Sequence, residues 1–118
     1  MADIFQVTVT VPSEEVAGQL GRHAVEQRLA ACAQVGGPIS STYWWEGAVE
    51  HATEWTIVLK TSTQRLPALV AALRAAHPYD TPEIVATRAT GDAAYLAWVE
   101  AQTADEPSAS SRRGGPLR

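Results

Sequence analysis

The chain predicts an α+β fold of the ferredoxin-like class, a βαββαβ sandwich with an extra C-terminal helix, and three observations carry that prediction. Runs rich in β-branched residues at 4–11, 48–61 and 83–88 read as strands. Two stretches with apolar residues at helical spacing follow the first strand and precede the last. A glycine-bearing turn joins the two middle strands into a hairpin, so the order is that of a split βαβ unit. The 118 residues fit one domain, assigned to 1–104, and no apolar run approaches the roughly 20 residues that span a bilayer.

Taken in order, Ile4–Val11 (IFQVTVTV) alternates as a strand and Pro12 closes it. Ser13 is positioned as the N-cap of a helix, ahead of Glu14 and Glu15, whose charges suit the positive end of the helix dipole. Val16, Leu20, Ala24, Val25 and Leu29 form its apolar stripe, and the pattern runs through Arg28. Gly18 and Gly21 weaken this helix by roughly 1 kcal/mol each relative to alanine, which makes sense where another backbone comes close. Two extended arms follow at 31–45 and 48–61, joined at Glu46-Gly47, and Gly36-Gly37-Pro38 is expected to bend or bulge the first. In the second arm Trp55, Ile57 and Leu59 share one face, while Glu54, Thr56, Val58 and Lys60 share the other.

A second helix is predicted at 64–76, with Leu66, Leu69, Val70 and Leu73 on one stripe and Pro67 tolerated in its first turn. Pro78 ends it. Residues 83–88 form a short strand, Gly91-Asp92 a turn and N-cap, and 93–104 a third helix with Tyr95, Trp98 and Val99 at packing spacing. The stretch 105–118, rich in Pro, Ser, Gly and Arg, is expected to be a disordered tail. Right-handed crossovers put the first and third strands at the centre of an antiparallel sheet, with helices on one face.

The length of the hairpin carries a further expectation. At about 3.3 Å per residue its arms reach some 45 Å, whereas a domain of this size is about 30–35 Å across. The tip, with Tyr43, Trp44 and Trp45, must then project past its own core, and three large aromatics in water form the kind of apolar patch that marks an interface. Oligomerisation is expected, with Tyr43, Trp44 and Trp45 at the subunit interface.

Composition narrows the function classes. The net charge of −4 argues against nucleic acid as a partner, and no membrane partner is expected. The N-terminal residues lack the basic and apolar segments of a secretory signal, and a single cysteine, Cys32, agrees with a reducing compartment, so a cytoplasmic location is expected. No catalytic activity is predicted. The acylphosphatase reading of this fold needs a loop arginine and an asparagine, but the loop reads Val11-Pro12-Ser13-Glu14 and the chain contains no asparagine. A copper chaperone of the same fold needs a CxxC, which is absent, and no Ser/His/Asp arrangement or phosphate-binding glycine loop is present.

Several motifs, taken together, resemble one family. They are Ala31-Cys32, then Ser41, Tyr43, Trp45 and Gly47 at alternate positions, then Glu54 and Lys60-Thr61, His77-Pro78-Tyr79, Pro82-Glu83, and finally Tyr95 and Trp98. Over residues 4–102 this set resembles the CutA divalent-cation tolerance family. The resemblance implies a homotrimer in which long strands extend each neighbour's sheet, an association with tolerance of copper and other divalent metals, and a trimer similar to that of the PII signalling proteins. It also implies a small-ligand or inter-subunit cleft built from Glu54, Lys60, Tyr79 and Glu83. Glu54 and Lys60 lie roughly 20 Å apart along one strand, so whatever they share must be assembled between elements or subunits.

Family members to which copper binding is assigned use a first-strand cysteine and two adjacent histidines before the Pro-Tyr pair. The matching positions here are Val9 and Ala76-His77, so only His77 carries over as a metal ligand. Selective transition-metal binding needs several N or S ligands in fixed geometry, so Cu2+ binding is expected to be weak and no cofactor to be required. The alternative use of His77 is to cap the helix that precedes it. Cys32 reads as a small buried hydrophobe, and His23 and His51 take no role. Two functions follow: a trimeric metal-binding or metal-responsive tolerance protein, or a PII-like binding module for an anionic small molecule or a protein partner.

Overall fold

The computed structural model describes residues 3–104, and the tail expected at 105–118 lies outside the described residues. The elements are β1 (Ile4–Val11), α1 (Glu14–Glu26), β2 (Cys32–Trp45), β3 (Ala48–Ser62), α2 (Leu66–Ala76), β4 (Ile84–Ala89) and α3 (Ala93–Gln102). The strands form one antiparallel sheet in the order β2-β3-β1-β4, with the first and third strands central as the crossover rule requires.

Local chemistry explains where the ends fall. Ser13 Oγ accepts the Val16 amide at 3.1 Å and opens α1, and Asp92 does the same for α3 through the Tyr95 amide at 3.0 Å. α1 stops two residues short of the predicted Arg28, because Arg28 takes a left-handed conformation, φ 60°. The Leu29 amide then reaches the Ala24 carbonyl and the Arg28 amide that of Val25, a Schellman closure made without glycine. Arg28 Nη1 also donates to the backbone and side-chain oxygens of Gln102, at 3.1 and 3.2 Å, tying this corner to the end of α3. α2 starts at Leu66 instead of 64, after a turn in which the Arg65 amide bonds Ser62 Oγ. α3 ends early where Thr103 Oγ1 donates back to the Val99 carbonyl.

The main core lies between the sheet and two helices. Val7, Val9, Val11, Ile57 and Leu59 alternate onto one sheet face and meet Ala17, Leu20 and Ala24 of α1 and Leu69 and Leu73 of α2. Each large aliphatic side chain buried in this way stabilises the fold by about 1.5–3 kcal/mol. α3 departs from the expectation that all helices share one face. Its Leu96 and Val99 pack on Ile4 and Ala31, and Ile4 points opposite to Val7 by strand alternation, so α3 covers one end of the second face. Gly21 answers to a close approach, since a Cβ there would stand 3.0 Å from Ala33 Cβ on β2. Gly18 does not, with nothing within 4 Å.

β2 and β3 form the predicted hairpin, closed at Glu46 (φ 50°) and Gly47 (φ 82°) between the paired Trp45 and Ala48, as a type I′ turn demands. The ladder is interrupted between Gly36 and Ile39 and resumes with Ile39 opposite Glu54. Gly37 makes the bulge possible: its φ is +132°, and a Cβ would lie 2.9 Å from Trp55 Cδ1 and 3.1 Å from Trp55 Cα. Past this point the hairpin leaves the core, and the molecule measures 51 Å by 27 Å by 23 Å.

Gly37→Ala is therefore expected to destabilise the protein by about 1–3 kcal/mol, while Gly18→Ala stabilises it by up to about 1 kcal/mol. Denaturant unfolding of the two variants beside the wild type checks both. An unaltered Gly37→Ala would contradict the packing at the bulge.

Candidate functional site

The site lies where the projecting hairpin leaves the core. α2 ends at Ala76, and His77 adopts an extended conformation because Pro78 disfavours a helical residue before it. This turns the imidazole inward, where it is only 8% exposed. Its Nδ1 accepts the Tyr79 amide at 3.0 Å, and an amide can only donate, so that nitrogen carries no proton. The hydrogen-bond network thereby assigns the ring proton to Nε2, which donates to the Thr10 carbonyl at 2.8 Å. One imidazole thus ties the end of α2 to β1 and to the turn that follows.

Tyr79 is fixed by these bonds and by its ring, 4.8 Å from that of His77. Its hydroxyl donates to Glu54 Oε2 at 3.0 Å. Glu54 sits on β3 beside the bulge, opposite Ile39, and is only 7% exposed. Partial burial, the hydrogen bond to Glu54 and the carboxylate's charge push the Tyr79 hydroxyl up to about 12, with a smaller contribution from Tyr43. Tyr79 therefore stays a neutral donor throughout the physiological range.

The structure brings together part of the expected cleft. Glu54 and Tyr79 are bonded, and Tyr43 is near enough to act on Tyr79 electrostatically. Lys60 is elsewhere: it lies six residues along β3 and its Nζ donates to Gln34 Oε1 at 2.9 Å. Glu83 is exposed just ahead of β4. At the hairpin tip Tyr43, Trp44 and Trp45 are 41%, 74% and 44% exposed, and Val49, opposite Trp44, is also exposed. Cys32 is half-buried, with its Sγ 3.6 Å from the Tyr95 hydroxyl.

His77 does not fit the metal-ligand role carried over to it. Both ring nitrogens are engaged, one by an amide donor and one by a carbonyl acceptor, so a metal ion would have to break a buried hydrogen bond to gain a lone pair. Val9, the first-strand position matched by resemblance to a ligand, is fully buried in the apolar core. Sequence reasoning missed two contributors, the Thr10 carbonyl that receives His77 and Ile39 as the neighbour of Glu54. Strand alternation gave no sign of either, because one is a backbone contact and the other depends on the bulge.

Because Tyr79 ionises near pH 10 when unfolded but near 12 when folded, it supports the fold fully below pH 10. That support is lost as the pH rises through about 12. Stability is expected to fall over this window in the wild type and to fall less in Tyr79→Phe. Denaturant unfolding at a series of alkaline pH values checks this, and identical slopes would contradict it.

The comparisons with known proteins agree with this architecture. The family model described as CutA1 divalent ion tolerance protein matches residues 5–102. The chain is 43% identical over 98 residues to the divalent-cation tolerance protein CutA of Thermus thermophilus, covering 82% of this chain and 95% of that one. It is 40% identical to human protein CutA over 96 residues, covering 80% of this chain but only 54% of the human one. The solved structure of the divalent cation tolerance protein from Thermus thermophilus superposes with a TM-score of 0.82 at 41% identity, covering 86% of this chain and 99% of that one. A motif set, a sheet order and a whole-domain match thus converge, and the chain belongs to the CutA1 divalent ion tolerance protein family.

Proposed function

We propose that the chain works as a homotrimer in divalent-cation tolerance, by binding and not by catalysis. The observation that carries this is the hairpin tip, where Tyr43, Trp44, Trp45 and Val49 stand in solvent beyond any core that could cover them. A monomer would expose this patch permanently, and contiguous exposed apolar surface favours association. β2 adds a second reason: it is an edge strand of 14 residues, and an unpaired edge of that length is a template for another strand. The number three comes from the family resemblance, which implies that long strands extend a neighbour's sheet. A cytoplasmic location is proposed with it, supported by a single cysteine that no disulfide partner in the chain could match.

A second reading, a PII-like module that binds a small molecule or a protein, is favoured by one observation. Glu54 and Tyr79 form a pre-organised polar pair at the foot of the hairpin, on the sheet face where Val85 remains exposed. In the metal-tolerance reading, copper is bound weakly, because the one histidine carried over from the family already spends both nitrogens on the fold.

Sedimentation of the wild type is expected to give a trimer at micromolar protein, and the double change Trp44→Ser with Trp45→Ser to shift it towards monomer. A folded wild-type monomer would overturn the assembly. Calorimetric titration with Cu2+ is expected to give a dissociation constant of about micromolar or weaker, with Zn2+ weaker still. Nanomolar affinity would mean that a different ligand set exists.

A further inference from the structure

Glu54 poses a problem that the chain does not solve by itself. The residue is more than nine-tenths buried, yet among the described residues its carboxylate takes one hydrogen bond, from a neutral phenol. Among the described residues no cationic nitrogen lies within 4.0 Å of it, and the cationic side chain on its face of β3, Lys60, is turned to Gln34. A buried carboxylate costs more than one neutral hydrogen bond returns, so a compensating charge is missing. The missing partner has a place to bind. Oε2 holds Tyr79, and no fully buried side-chain polar atom among the described residues lacks a partner, so the free Oε1 must still be reachable from outside.

We propose that Glu54 and Tyr79 form a recognition site for a cationic nitrogen group, an ammonium or guanidinium, that enters from outside the chain and bonds Glu54 Oε1. Tyr79 fixes the carboxylate and keeps its own proton, so the site presents a carboxylate oxygen beside the Tyr79 ring, an environment that attracts organic cations. The same charge opposes the anionic ligand expected from the sequence. A divalent metal ion fits poorly, because it needs several oxygen ligands and the site offers one free carboxylate oxygen next to a phenol that is already donating. The proposal deepens the ligand-binding reading of this cleft and rests on it. The cation comes either from a small molecule or from a Lys or Arg side chain of a second copy.

The test uses the full chain carrying 13C at Glu54 Cδ and Tyr79 Cζ, titrated with methylguanidinium against sodium chloride at equal ionic strength. Inorganic phosphate and Zn2+ form separate arms, and sedimentation is run in parallel on wild type, Glu54→Gln and Tyr79→Phe. A saturable shift of both resonances with methylguanidinium, weakened at least about tenfold when read by calorimetry in Glu54→Gln, establishes a small-molecule cation. No shift in the wild type, but self-association weakened at least about tenfold in both variants, establishes that a second copy supplies the cation. Tyr79→Phe keeps the ring and removes only the donor, so it tests the site even if Glu54→Gln fails to fold. Saturation by phosphate alone overturns the cation while leaving the cleft reading intact, and Zn2+ shifting Glu54 Cδ without methylguanidinium doing so overturns it in favour of a metal. No response to any probe, with assembly unchanged in the variants, overturns both.

Discussion

The constraint on which the rest of this structure depends is the mismatch between a long ladder and a small core. β2 and β3 run for 14 and 15 residues, but α1 and α2 cover only the part of the ladder that carries Ala33, Ile57 and Leu59. Backbone pairing continues past that cover because each added pair satisfies donors and acceptors that would otherwise face water. Side-chain burial does not continue with it. The outer half of the hairpin is therefore fully paired in its backbone and unfinished in its packing, with Trp44 almost three-quarters exposed.

The bulge at Gly36 to Ile39 marks the division between the two halves, and the candidate site is built against it. Three bonds, His77 to Thr10, the Tyr79 amide to His77, and Tyr79 to Glu54, connect the end of α2 to β1 and then to the foot of the hairpin. The histidine that a metal reading would spend on copper is spent on this chain of bonds. The consequence is a carboxylate held in a fixed place with its charge only partly answered. The exposed aromatics at the tip and the Glu54–Tyr79 pair at the foot belong to one hairpin, and the proposed assembly and cation would complete both.

Most of the fold was legible because it rests on local terms. Alternation revealed β1 and the inner face of β3, Ser13 and Asp92 announced their helices, Glu46-Gly47 announced the turn, and arm length alone called for projection past the core. What was not legible depends on contacts distant in sequence. Arg28 closes α1 in a left-handed conformation without the usual glycine, held by Gln102. The side chosen by α3 depends on Ile4, and the pairing of Ile39 with Glu54 depends on how many residues the bulge absorbs. His77 reads in sequence as a candidate ligand, and only its two partners, one of them 67 residues away, reveal its structural use. Within the site, Glu54 and Tyr79 were expected together and are bonded, whereas Lys60 lies too far along the same strand to join them in one chain.

The central claim is that the hairpin tip is completed by another copy of the chain, and Trp44 reports on it directly. With Trp45, Trp55 and Trp98 each replaced by phenylalanine, Trp44 is the sole indole, and its emission and quenching by acrylamide measure its cover in the native protein. The account predicts a blue-shifted emission that acrylamide quenches weakly, although the isolated chain leaves this side chain 74% exposed. A red-shifted Trp44, quenched as freely as in the unfolded protein, would contradict it.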